Sequence, residues 1–305
     1  MKRILLFLTF TATTLCVSAQ KSLDIDNNAD EVIHYWDNST APHSNEESEA
    51  EQLNAKGHFT HISETVFYLF KADKAKATGR AVAIFPGGGY LKVCIRNEGF
   101  GLAEWFKSQG ITAMVVKYRV ANNGHKEVPL EDAQAALKYL RERASELGID
   151  PSKVGVFGSS AGGHLAAYVS TFAEPKDKPA FAVLFYPASS GRTWQTAKNT
   201  FPCLLGKERT PAEQEYYSLE NRVDETTPPT ILLLSDNDRV VPPINSIDYY
   251  EALKRYGVRA AMHIYPSGGH GWAGNRKFRY IESWKRDVAG WIAELDEADS
   301  NNCKQ

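Results

Sequence analysis

The stretch Gly158-Ser159-Ser160-Ala161-Gly162 constrains this chain more than any other, because of what flanks it. The apolar run Val154-Gly155-Val156-Phe157 leads in, and His164-Leu165-Ala166-Ala167-Tyr168-Val169 reads as a helix leading out. A strand that turns this sharply into a helix needs small residues around the turn, and it lifts the Ser160 hydroxyl clear of the sheet edge. The helix N-terminus offers free N–H groups to a developing negative charge at the same place. In a chain with 22 glycines a G-x-S-x-G match alone decides little. Between a strand and a helix it points to the nucleophile of a serine hydrolase.

The rest of the chain repeats that alternation. Ala81 to Phe85 reads as a buried strand ending in Pro86-Gly87-Gly88-Gly89-Tyr90; Gly101 to Ser108 reads as a helix and Thr112 to Tyr118 as a strand. Leu130 to Leu147 carries Ala133, Ala136, Leu137 and Leu140 at helical spacing. Strands follow at Ala180 to Tyr186, Thr230 to Leu234 and Ala260 to Tyr265, with helices at Ile247 to Tyr256 and Tyr280 to Leu295. Arg192 to Thr226 reads as irregular, a mixture of helix and loop. This order predicts an α/β fold with a mostly parallel central sheet and helices on both faces. His58 to Ile62 and Thr65 to Phe70 read as opening strands.

The N-terminus stands apart. A basic start at Met1-Lys2-Arg3, an apolar run from Ile4 to Phe10 and small residues at Val17-Ser18-Ala19 predict a signal peptide over 1–19, cut after Ala19. The run is too short to span a bilayer, and Leu15 before Cys16 fits a lipoprotein signal poorly. Residues 20–56 are polar and acidic and predict an extended lead-in on the surface, leaving 57–298 as the catalytic domain. A formal net charge of −2 with scattered Lys and Arg gives no footprint for nucleic acid or an anionic membrane. Cys94, Cys203 and Cys303 have neither zinc-ligand spacing nor the pattern of a disulfide framework. Export leaves room for one disulfide; buried thiols are the better reading of Cys94 and Cys203.

A serine hydroxyl needs a base within hydrogen-bond reach and a carboxylate to orient that base. In this architecture the order along the chain is serine, acid, histidine. The acid is Asp236 or Asp238, both where a strand ends; Asp238 is favoured because it lies deeper in a loop that Val240-Val241-Pro242 can pack rigidly. The base is His270, between glycines in Gly268-Gly269-His270-Gly271-Trp272, with Trp272 placed to shield the imidazole. His164 lies too near Ser160 in sequence to serve. The N–H groups of Ala161, Gly88 and Gly89 are the candidate oxyanion donors. Acyl transfer by such a set requires neither metal nor organic cofactor. Tyr90, Trp194 and Trp272 are candidates for stacking on sugar rings, or for core and rim packing.

These residues resemble the bacterial α/β-hydrolase esterases known as acetyl esterases, acetylxylan esterases and carbohydrate-ester hydrolases, related to the hormone-sensitive-lipase-like branch. The resemblance runs from about Ile33 to about Trp291. It rests on Phe85-Pro86-Gly87-Gly88-Gly89-Tyr90, Asn97-Glu98-Gly99, Lys117-Tyr118-Arg119, the serine motif through Ala166, Phe185-Tyr186-Pro187 and Thr227-Pro228-Pro229-Thr230. Asp238 to Pro242, Asn245-Ser246 and Gly268 to Gly271 complete it. It implies Ser160 as nucleophile, Asp238 as acid, His270 as base and Gly88, Gly89 and Ala161 as oxyanion donors. Pro86 stands where the lipase-like branch commonly has histidine, and no long helical cap precedes the nucleophile, which argues against a lipase lid. The implied activity is hydrolysis of acetyl or other short-acyl esters, on small molecules or polysaccharides such as acetylated xylan. A feruloyl esterase, a peptidase or a non-catalytic binder on the same scaffold are the alternatives. Oligomeric state is open.

Overall fold

The computed structural model describes residues 25–192 and 197–302. The expected signal peptide, Cys16, Trp194 and Cys303 lie outside them. Eight strands form one sheet: β1 (Glu31–Asp37), β2 (Glu64–Phe70), β3 (Ala81–Phe85), β4 (Thr112–Lys117), β5 (Val154–Ser159), β6 (Ala182–Phe185), β7 (Thr230–Ser235) and β8 (Ala260–Tyr265). Their spatial order is β1-β2-β4-β3-β5-β6-β7-β8. The β1–β2 and β2–β4 pairings are antiparallel and all the others are parallel. Every residue of β3 to β7 is buried, which a strand achieves only when both faces of the sheet are covered. That burial is why these strands are continuous apolar runs rather than alternating ones.

The covering helices are α1 (Gly101–Ser108), α2 (Glu127–Glu142), α3 (Ala161–Phe172), α4 (Ile244–Arg255) and α5 (Ile281–Asn302). Trp105 of α1 meets Trp284 of α5 edge to face at 4.9 Å, while α2 lies against α3 and, through Ala133, Ala136, Leu137 and Leu140, seals its apolar stripe into the core. No helix among the described residues is long and apolar enough to cross a membrane. Because β3, β5, β7 and β8 run parallel, the loops after them gather at one sheet edge. That edge is where open α/β sheets place their sites.

The architecture is the α/β class expected, with differences at its margins. The sheet begins at Glu31, inside the segment expected as a lead-in to a domain starting at 57. β1 is an edge strand that alternates half-buried and exposed positions, so its sequence carries no apolar run to announce it. The segment is also tied down by buried polar contacts. Trp36 Nε1 donates to Asp132 Oδ1 at 2.7 Å, and buried Asn45 donates through Nδ2 to Ile62 O and Val120 O. The expected strand at His58 to Ile62 shrinks to Phe59–Thr60, paired with Gln52–Leu53. The expected helix Leu130 to Leu147 starts earlier, at Glu127, and breaks after Glu142 before a separate turn, Ala144–Leu147. Described parts of the irregular stretch contain short helices, Thr200–Leu205 and Pro211–Tyr216.

Candidate active site

Ser160 sits between β5 and α3 with φ 55° and ψ −121°, the left-handed side of the map that side chains other than glycine avoid. Such a conformation costs about 1–3 kcal/mol and persists only where its surroundings enforce it. Here they do. Ser160 N donates to Phe185 O at 3.0 Å, and Ser160 O accepts from His164 N and Ala188 N. The flanking glycine is needed for space: a Cβ on Gly158 would lie 2.1 Å from Gly162 O. The result is a half-buried hydroxyl held at the sheet edge.

The loops after β7 and β8 bring the other two residues to it. His270 Nε2 lies 2.8 Å from Ser160 Oγ, and His270 Nδ1 lies 2.6 Å from Asp238 Oδ2. A carboxylate only accepts, so Nδ1 carries the ring proton and the Nε2 lone pair faces the serine O–H. Asp238 is 5% exposed, and its other oxygen accepts the N–H groups of Val240 at 2.8 Å and Val241 at 3.0 Å. The open choice between Asp236 and Asp238 therefore closes geometrically: Asp236 is exposed at the strand end, and Asp238 meets the imidazole. Asn237 Oδ1 accepts from Gly269 N at 2.9 Å, fastening the two loops together.

Ala161 is the first residue of α3, so its N–H has no partner within the helix. Gly88 and Gly89 lie in the turn after β3 and line the same cavity as Ser160, about 570 Å³ in volume. Their N–H groups meet no acceptor among the described residues. Gly88 has φ 143°, and a Cβ there would lie 2.0 Å from Lys92 O, so no other residue fits. Tyr90 anchors this turn from beneath. Its hydroxyl lies 3.0 Å from His164 Nδ1, and His164 Nε2 lies 3.3 Å from Tyr217 O. The backbone carbonyl requires the Nε2 proton, so Nδ1 accepts from Tyr90. Burial drives the His164 pKa down to about 4, keeping that ring neutral.

Two further residues organise the site, and sequence reasoning gave them no role. Glu98, buried in a wide helical turn at Arg96–Phe100, accepts from Gly87 N at 2.7 Å and Ser159 Oγ at 2.8 Å through one oxygen. Through the other it accepts from Tyr186 Oη at 3.0 Å. Tyr186 in turn accepts from Ala273 N at 2.9 Å, and its ring lies 4.7 Å from that of His270. One carboxylate thus joins the Gly87–Gly89 turn, the serine turn and the support of the histidine ring. The available signal was the segment Asn97-Glu98-Gly99, on which the family resemblance partly rests. Ser159 points into this network, away from the cavity. Tyr90 and Trp272 are core residues, the latter stacked on Phe278 at 4.2 Å, so neither ring is free to stack on a sugar. Cys94 and Cys203 are free thiols; burial, then nearby Glu98, pushes Cys94 up to about 12.

Sheet order, serine turn and convergent loops define an α/β hydrolase. The chain belongs to that family, and the family model for the alpha/beta hydrolase fold matches residues 82–274. Among its relatives is an acetylxylan esterase of Xylanibacter ruminicola, 35% identical over 222 residues. That match covers 72% of this chain and 46% of the relative. An endo-1,4-beta-xylanase B of Butyrivibrio fibrisolvens is 30% identical over 72% of this chain and 36% of its own length. The chain thus spans less than half the length of these two relatives. A solved acetyl ester-xyloside bifunctional hydrolase from Caldicellulosiruptor lactoaceticus is similar at a TM-score of 0.68 and 31% identity, over 76% of this chain and 89% of that one.

Proposed function

We propose that the chain is a carboxylic-ester hydrolase, an exported serine esterase that removes acetyl or other short acyl groups from carbohydrate esters such as acetylated xylan. The observation that carries this reading is the unbroken hydrogen-bond chain from Asp238 through His270 to Ser160, ending in an open cavity. Similarity to proteins named acetylxylan esterase and acetyl ester-xyloside hydrolase supports the substrate class. The sequence features of residues 1–19 support export.

In the proposed mechanism Ser160 Oγ attacks the ester carbonyl while its proton passes to His270 Nε2. The imidazolium that forms is stabilised by Asp238, whose second oxygen the N–H groups of Val240 and Val241 hold in place. The carbonyl oxygen becomes an oxyanion, and the N–H groups of Ala161, Gly88 and Gly89 stabilise it as its charge grows. As the carbon–oxygen bond to the alcohol breaks, His270 returns the proton to the leaving oxygen. Water then attacks the acyl-Ser160 ester with the same histidine as base, which releases the acid.

A fluorophosphonate probe tests the nucleophile: wild type should be labelled and Ser160→Ala should not. Equal labelling of the variant would assign the reaction to another residue. On esters, 4-nitrophenyl acetate and acetylated xylan should both release acetate. Hydrolysis of long acyl chains only would defeat the short-acyl assignment, and faster cleavage of feruloyl than acetyl esters would replace it.

A further inference from the structure

The cavity that holds Ser160 has a charge opposite to that of the chain. The whole sequence carries a formal net charge of −2. Yet the cavity lining contains Lys92, Lys198 and Arg239 against a single carboxylate, Glu98. Among the described residues none of these three cations sits in an ion pair. Glu98 offsets part of that charge, and three cations against one carboxylate still leave the lining with a positive excess. The cations also come from three separate segments: the turn after β3, the stretch before Thr200–Leu205, and the loop after β7 that carries Asp238. A single exposed lysine is ordinary surface. Three unpaired cations converging on one concave site from unconnected loops focus a positive potential on it. His58 lines the same cavity, and its pKa is held below the usual value first by burial, then by Lys92 and Lys56, with Glu98 acting in the opposite direction.

We infer that the cavity selects esters whose alcohol half is an acidic sugar, with the carboxylate of a uronate residue met by Lys92, Lys198 and Arg239. This rests on the esterase reading above and narrows it. The acyl carbonyl must lie between Ser160 Oγ and the N–H groups of Ala161, Gly88 and Gly89. The sugar half then occupies the open remainder of a cavity whose lining carries the three cations. An exposed charge–charge attraction is modest per residue and shrinks with salt. The preference should therefore be moderate in size and sensitive to ionic strength.

The test compares kcat/KM on two acetylated xylo-oligosaccharides that differ only in a uronate side group. At low salt the uronate-bearing substrate should be favoured by about tenfold, and the ratio should fall toward one in about 0.5 M NaCl. Joint substitution Lys92→Gln, Lys198→Gln, Arg239→Gln should bring the low-salt ratio near one. Lys138→Gln, at an exposed position of α2 outside the cavity lining, should leave the ratio as in wild type. A wild-type ratio near one, or a ratio unchanged in the triple variant, would overturn the inference. So would a comparable preference for 4-nitrophenyl hemisuccinate over 4-nitrophenyl acetate, since the charge would then be read on the acyl half. Hydrolysis of 4-nitrophenyl acetate keeps the two readings apart. If it occurs without uronate preference, the esterase reading stands and this inference fails; if it is absent, the esterase reading fails first.

Discussion

Glu98 is a buried carboxylate with no ion-pair partner among the described residues, held instead by three hydrogen-bond donors. Each donor belongs to a different part of the site, so the residue holds in place the Gly87–Gly89 turn, the serine turn and the ring behind His270. Glutamine is nearly isosteric but replaces one oxygen with an NH2 group. Turned toward Gly87 and Ser159, that group faces two donors; turned toward Tyr186, it forces the phenol to accept and leaves the phenolic proton without a partner. We expect Glu98→Gln to lower kcat by about ten- to a hundredfold, and Glu98→Ala by an amount approaching the loss of one oxyanion donor, about 10²–10³. KM should change little, because both carboxylate oxygens are engaged by Gly87 N, Ser159 Oγ and Tyr186 Oη. Steady-state kinetics alongside thermal unfolding separates the alternatives: a lower melting temperature with kcat intact would reduce Glu98 to a packing role.

Between elements, one fully buried polar junction is the pair Arg119–Asp132. Asp132 on α2 accepts from Arg119 N at 2.7 Å, from Arg119 Nη2 at 2.8 Å and from Trp36 Nε1 of β1 at 2.7 Å. It therefore ties the edge strand, the segment after β4 and a core helix to one another. Removing Asp132 leaves buried Arg119 with only the more distant carboxylate of Glu131, 3.9 Å away, so Asp132→Ala should cost about 3 kcal/mol, read from urea midpoints at constant m. A loss below 1 kcal/mol would show that water reaches Arg119 once the carboxylate is gone. This junction also marks where the fold is legible in the sequence. β3, β5 and β7 are buried on both faces and spell themselves as apolar runs, and α1 has the bounds its spacing predicts. β1 is held by an edge pairing and by partners such as Thr65 and Asp132, far away in sequence, so nothing local announces it. The site divides in the same way. Ser160, Asp238 and His270 are legible because each follows a strand and lies among small or rigid residues. Glu98 and Tyr186 depend on contacts across the fold, and a lone acid or a lone tyrosine carries no spacing signal. Aromatic identity alone does not tell a sugar platform from a core ring, as buried Tyr90 and Trp272 show.

Across the whole molecule, the acid limit of stability follows from His164. The ring lies on α3 behind the serine turn, accepts from Tyr90 and reaches Tyr217 O, and packs edge-on against Phe201 at 5.3 Å. Protonation would place a buried charge there and turn Nδ1 from acceptor into donor, facing a hydroxyl that would have to reverse. The native pKa of about 4 lies below the unfolded value of 6.5, so the sign is fixed. Above pH 6.5 both states are neutral and the residue contributes nothing to the pH dependence. As pH falls from 6.5 to 4 the unfolded chain takes up a proton that the native chain refuses. Folding then weakens by about 3 kcal/mol, and the deficit stays constant below that range. Depressed carboxylates act in a lower window. Glu31, held down to about 2 by hydrogen bonds from Arg143 and then Lys71, loses its contribution only as pH falls from 4.5 toward 2. His164→Gln separates the two, because an amide can accept from Tyr90 and donate to Tyr217 O without ever ionising. Urea unfolding at pH 7.5, 5.5 and 4.5 should show wild type losing about 2–3 kcal/mol more than the variant over that range, about half of it by pH 5.5. Parallel losses in the two proteins would mean that His164 is protonated in the native state at ordinary acidity, and the proposed anchor of the Gly88–Tyr90 turn would have to be redrawn.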